Sequence, residues 1–137
     1  MSYNLYGWNA LVQNPWKAEN VYKAIRLINP DILGAQECEG REHEVAANIG
    51  SDYAVAGSAT AGHSVIYRTS VFSFQAQGSA DLNEMDQYGR RTVEYAHLTH
   101  RLSGRMVDYF NTRNCFRKDI VAIRNVLETL KTRLESL

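Results

Sequence analysis

Little in this sequence points to a disulfide, zinc or membrane protein. Its only two thiols, Cys38 and Cys115, lie far apart and form no Cys-x-x-Cys pair. No Cys/His spacing suits a zinc site, so the expectation is two free thiols or at most one bridge. Neither sign of charge dominates: 15 Lys and Arg face 15 Asp and Glu, for a formal net charge of zero. That argues against nonspecific nucleic-acid binding through a broad cationic field, while leaving room for a local phosphate site. No apolar run approaches membrane-spanning length, so no transmembrane segment is expected. The N-terminus Met1-Ser2-Tyr3-Asn4-Leu5 lacks the basic and apolar regions of a signal peptide, which predicts a cytoplasmic location for the chain as written. Repeats, low-complexity segments and linkers are also missing.

What is there is ordinary globular sequence, 45% hydrophobic and 22% charged over 137 residues. That suits a single domain with a real core. Tyr3 to Trp8 reads as a strand. Asn14-Pro15 predicts a helix start, with Asn14 as cap and Pro15 in the first turn. Val21, Ala24, Ile25 and Ile28 then mark one apolar face, and Asn29-Pro30 ends the helix. Ile32 to Ala35 is a short buried strand with Gln36-Glu37 at its end. Arg41 to Ile49 is a short helix stopped by Gly50. Ser64 to Tyr67 and Val71 to Gln75 are strand candidates. Residues 77 to 90, rich in Gly, Asp, Asn and Gln, read as a loop. Thr92 to His100 alternates as a strand, placing Val93, Tyr95, His97 and Thr99 opposite Glu94, Ala96 and Leu98. A turn at Ser103-Gly104 leads into Met106 to Phe110, the second arm of a hairpin. From Arg117, Ile120, Ile123, Leu127, Leu130 and Leu134 form a helical stripe. The order predicts an α/β (α+β) layered domain.

Three segments together carry a resemblance: Ser2-Tyr3-Asn4-Leu5, Asn29-Pro30-Asp31-Ile32-Leu33-Gly34-Ala35-Gln36-Glu37, and Tyr109-Phe110-Asn111-Thr112. With Val65-Ile66-Tyr67-Arg68 and Gly89-Arg90-Arg91, they resemble the endonuclease/exonuclease/phosphatase (DNase I-like) superfamily over nearly the whole chain. The resemblance implies part of a four-layer α/β sandwich, with mostly antiparallel strands and helices packed outside. It also implies hydrolysis of phosphodiesters or phosphomonoesters with Mg²⁺ or Mn²⁺. The substrate would be a nucleic acid, nucleotide, inositol phosphate or phospholipid.

On this resemblance Glu37 is the metal-binding glutamate. The role suits a hard cation that prefers oxygen ligands, keeps several waters and often takes only one or two carboxylates. Asn4 matches an Asn that positions metal or phosphate, its amide offering both donor and acceptor. Asn111 matches the Asn of an Asn-Thr-His motif, but Arg113 stands where many members carry His. An Arg can hold a phosphate, yet it stays charged and cannot serve as a general acid or base near neutrality. Arg91, beside Arg90 and Tyr88, is a second candidate phosphate contact, with an exposed charged loop as the plainer reading. Among the histidines, His43 is expected to be solvated, and His63 sits in a loop that can border a site. His97 and His100 should point to opposite faces of a strand.

The family's later Gly-Asp-x-Asn and Ser-Asp-His motifs do not occur, so residues 1–137 are expected to be a C-terminally truncated domain, the N-terminal part of a metal-dependent phosphoesterase that is inactive or weak alone. The alternative is a non-catalytic, shortened paralogue that works as a binding module. Either way, exposed sheet predicts marginal stability or self-association.

Overall fold

The computed structural model describes residues 1–57, 62–86 and 89–113, together with Glu128 and Thr132; the side chains of residues 83–86 are excepted. Cys115, Asp119, Tyr88 and all but two positions of the helix expected from Arg117 lie outside the described residues.

Among the described residues seven strands form two sheets. Sheet A has the order β1-β2-β4-β3, from β1 (Ser2–Asn4), β2 (Ile32–Gln36), β3 (Tyr53–Ala56) and β4 (His63–Arg68). Sheet B is the meander β5 (Phe72–Asp86), β6 (Gly89–His100) and β7 (Met106–Thr112). Only β1 and β2 run parallel; the other pairs are antiparallel. Helices α1 (Ala18–Ile28) and α2 (Glu42–Ile49) cover the outer face of sheet A.

Alternation in the strands sets the layers. Leu33, Ala35 and Ile66 turn outward into a core with Val21, Tyr22, Ile25, Val45 and Ile49 of the helices. Val65 and Tyr67 turn inward and meet Ala96 and Leu98 of β6. Of the two faces that alternation separates in this strand, the one with Ala96 and Leu98 packs between the sheets.

Several boundaries differ from the sequence reading. The first strand stops at Asn4 rather than reaching Trp8, because Tyr6 adopts a left-handed backbone (φ 50°). A π-helical turn, Trp8–Gln13, follows. Asn14 makes no side-chain cap; its Nδ2 donates to Asn9 O at 3.2 Å, and Pro15–Lys17 is a 3-10 turn ahead of α1. Asn29 does end α1, in left-handed geometry. Gly50 ends α2 with extended backbone (φ 168°), so any residue meets that φ. Residues 77–86 are strand, not loop: β5 pairs with β6 from Phe72 to Asp86, through irregularities at Phe74/Ala76 and Asp81/Glu84. Pairing along a long partner outweighs the turn-like composition there.

Candidate active site

The C-terminal ends of β1, β2 and β7 converge with the N-terminal ends of β4 and β6. Gln36 pairs with both Asn4 and His63, and Val93 pairs with Thr112. This one rim of the two sheets carries nearly every polar residue singled out from the sequence.

Glu37 sits at its centre. The residue is held in left-handed backbone (φ 57°), which is uncommon for a non-glycine and costly unless the surroundings enforce it. The enforcing contacts are visible. Gly7 N–H donates to Glu37 O at 2.9 Å, and Leu5 N–H donates to Gln36 O at 2.9 Å. A Cβ on Gly7 would lie 2.0 Å from Glu37 O, so only glycine permits this approach. The Glu37 side chain is 13% exposed, and its Oε1 accepts from Asn4 Nδ2 at 2.8 Å. The same oxygen pairs with the Arg113 guanidinium at 3.0 Å.

Asn4, exposed beside Glu37, orients that carboxylate. Its Nδ2 is on Glu37, and its Oδ1 accepts from Tyr6 N–H at 2.9 Å. Arg113 is the cation next to that carboxylate, a juxtaposition that arises only once β2 and β7 meet. Thr112, one residue before it, donates through Oγ1 to Thr92 O at 2.9 Å. His63 is buried, and its Nε2 lies 3.0 Å from the same Thr92 oxygen. Arg91 lies at this end of β6, opposite Glu84, and is not among the Glu37 contacts described.

Asn111 is buried between the sheets. Its Nδ2 donates to Ala35 O at 2.9 Å and to Ser64 O at 2.8 Å, and its Oδ1 accepts from Gln36 Nε2 at 2.5 Å. The side chain thus bolts β7 to β2 and β4, and both ends of its amide are engaged within the protein. Gln36, which the sequence reading treated only as the neighbour of Glu37, also donates to Gly34 O at 3.0 Å and Ser2 Oγ at 3.1 Å. Gly34 makes room for this bolt: a Cβ there would meet Asn111 Oδ1 at 2.9 Å and Tyr109 Oη at 3.0 Å.

The remaining histidines stand apart. His43 is exposed on α2. His97 pairs with Asp108, while His100 lies 2.8 Å from Ser103 Oγ, so the two point to different partners as their odd separation requires. Sequence reasoning missed Glu42, which is fully buried at the start of α2 with no hydrogen-bond partner on either carboxylate oxygen. Burial pushes its carboxyl above the ordinary range, and Glu39 adds to this; His43 and the nearby N–H groups of Glu42 and Gly40 pull the other way without reaching hydrogen-bond geometry. Burial likewise raises the Cys38 thiol, which is also disfavoured as an anion by Glu42 and Glu39.

Among the described residues no three His, Cys, Asp or Glu side chains cluster as a ready metal cage. The polar set is one carboxylate, one amide that orients it, and one guanidinium. A depression of about 470 Å³ lined by Ser70, Val71, His100, Arg101 and Leu102 lies at the other end of β6 and shares no residue with this set.

Two facing sheets with helices outside, and a polar rim where their strand ends meet, define an α+β sandwich with a candidate functional site at one rim. Solved structures make the assignment more specific. The chain is similar to a mannosyl-6-phosphatase from Bacteroides thetaiotaomicron at 20% identity and a TM-score of 0.76, covering 96% of this chain and 58% of that one. An endonuclease/exonuclease/phosphatase from Bacteroides vulgatus matches at 17% identity and 0.75, covering 99% and 59%. D. rerio TDP2 complexed with single-strand DNA product matches at 17% identity and 0.72, covering 95% and 53%. No family model and no curated relative matches. The chain has the DNase I-like fold of endonuclease/exonuclease/phosphatase proteins and fits the N-terminal half of it. It spans little more than half the length of the solved structures it matches.

Proposed function

We propose that the Glu37 rim is the metal- and phosphate-binding half of a divalent-metal-dependent phosphoesterase site. The observation that carries this reading is the enforced geometry of Glu37: a non-glycine in left-handed backbone, clamped by Gly7 and oriented by Asn4. A strained, over-determined carboxylate at a strand end is where a binding role is expected. The donor set fits Mg²⁺ or Mn²⁺, which bind through one or two carboxylates with water and substrate phosphate completing the shell. Such an ion supplies Lewis-acid polarisation of a phosphoryl oxygen.

The chain's own residues have distinct parts in this scheme. Glu37 holds the ion, and Asn4 fixes the direction of its carboxylate. Arg113 gives a permanent positive charge for a phosphate oxygen and cannot exchange a proton near neutrality. Asn111 and Gln36 tie the sheets together so that Glu37 and Arg113 meet. None of these groups is a general base, so water activation falls to residues elsewhere in a complete domain. Residues 1–137 are on this reading the N-terminal part of that domain, and the coverage of the solved structures supports it.

A second reading has its own support. The 3.0 Å Arg113–Glu37 pair already neutralises the carboxylate, as suits a module that holds phosphate without turning it over. Hydrolysis of a generic phosphodiester with Mg²⁺ or EDTA, by the native chain and by Glu37→Gln, separates the two. Mg²⁺-dependent turnover that Glu37→Gln abolishes supports the first. Phosphate binding that is retained in EDTA and unchanged by Mg²⁺, in both folded proteins, supports the second.

A further inference from the structure

Tyr6 and Trp8 are large aromatic residues left in solvent, 62% and 56% exposed, immediately after the Asn4 that orients Glu37. Their exposure does not reflect a loop without a core. Leu5, Ala10 and Leu11 of the same segment are buried, so the loop is anchored by its apolar side and presents its rings outward. The backbone is equally specific. Tyr6 is held at φ 50°, a rare conformation for a bulky residue, with its N–H on Asn4 Oδ1 at 2.9 Å. Its carbonyl accepts from Asn9 N–H at 3.0 Å and Ala10 N–H at 2.9 Å. Trp8 opens a π-helical turn, a form that occurs often at functional sites. Between the two, Gly7 lies flush against Glu37.

From this we propose that Tyr6 and Trp8 form a stacking platform for the nucleobase of a one- or two-nucleotide phosphoester whose phosphate sits at Glu37 and Arg113. The inference rests on the phosphoester reading above and adds the substrate class. Base faces stack on exposed Tyr and Trp irrespective of sequence, and only an unpaired nucleotide offers such a face. The zero net charge supplies no broad cationic field of the kind that holds a duplex, which favours a short ligand. Continuity with the Glu37 rim, through the Gly7 and Asn4 contacts, is what assigns the aromatic pair to substrate.

The test is fluorescence anisotropy of a labelled dinucleotide carrying a 5′ phosphate, bound to the full 137-residue chain in EDTA, with glucose 6-phosphate as the base-free competitor. Tyr6→Asn tolerates left-handed backbone but removes the ring, and Trp8→Ala removes the second ring; each is expected to weaken dinucleotide binding about ten-fold. Tyr6→Phe and the distant Leu102→Ala should bind within two-fold of the native chain, as should the sugar phosphate in every variant. Unchanged dinucleotide affinity in folded Tyr6→Asn and Trp8→Ala overturns the platform, and so does absent binding by the native chain. Equal losses for the sugar phosphate overturn the nucleobase, and a dimer that buries Trp8 makes a second copy the occupant instead. Glu37→Gln separates the two ideas: it should keep the aromatic-dependent affinity and lose Mn²⁺ binding. Mn²⁺ binding surviving in Glu37→Gln counts against the metal-site reading alone.

Discussion

Truncating Asn111 to Ala removes three hydrogen bonds at once, to the carbonyls of Ala35 and Ser64 and from the Gln36 amide. All are buried, where lost partners are costly; the expected destabilisation is about 2–4 kcal/mol, read from urea unfolding. A substrate-facing Asn would instead lower binding and leave the unfolding midpoint in place. Glu42 gives the opposite sign. Its carboxyl is buried without hydrogen bonds and titrates above the ordinary range. The folded state therefore binds this proton more tightly than the unfolded state. The associated stability is complete below the ordinary carboxylate range and is lost as pH rises through the elevated folded value. Glu42→Met, similar in volume and apolar, should stabilise the chain at neutral pH by about 1–3 kcal/mol, and the gain should shrink as the solution is acidified. Thermal melts across pH check both the gain and its slope; a Glu42→Met protein less stable than the native chain at pH 7 contradicts this account of the site.

At the scale of elements, the site depends on a seam rather than on any one strand. Leu5 and Gly7 continue the β1–β2 pairing past the ends of both strands and deliver Glu37 to the rim. Gly7→Ala places a methyl 2.0 Å from Glu37 O, so the seam must open. The expected result is loss of Mn²⁺ binding with the sheets still formed, seen as native-like circular dichroism beside an unsaturated electron paramagnetic resonance titration. Much of this arrangement was legible in the sequence. Val21, Ile25 and Ile28 announced α1, although the structure leaves Ile28 exposed, and alternation in Thr92 to His100 separated the two faces of that strand. What escaped were features that exist only once distant segments meet. The composition of residues 77–86 speaks for a turn until β6 lies alongside. Tyr6 is an ordinary aromatic until the chain turns there, with its backbone left-handed and its N–H on Asn4 Oδ1. The Asn-Thr-Arg segment hinted at a site residue, yet only the fold shows that Asn111 points between the sheets while Arg113 reaches Glu37.

Over the whole molecule, the described residues form two sheets whose outermost strands are β1 and β3 on one side and β5 and β7 on the other. Large apolar side chains remain in solvent, including Leu27, Ile28, Leu102 and Met106. Unpaired strand edges and exposed apolar residues favour association. Sedimentation velocity over a concentration series should show a growing dimer or larger species; a single monomer at all concentrations counts against it. No helix among the described residues is long and apolar enough to cross a membrane. Mn²⁺ binding followed by electron paramagnetic resonance decides whether the clamp on Glu37 serves to hold a divalent cation. The native chain should bind one ion, Asn4→Ala should bind more weakly, and Glu37→Gln should lose the site. Arg113→Ala should bind more tightly, because it removes the cation that competes for the Glu37 carboxylate. Equal Mn²⁺ affinity in the native chain and Glu37→Gln would contradict the account and leave Glu37 as the partner of Arg113 alone.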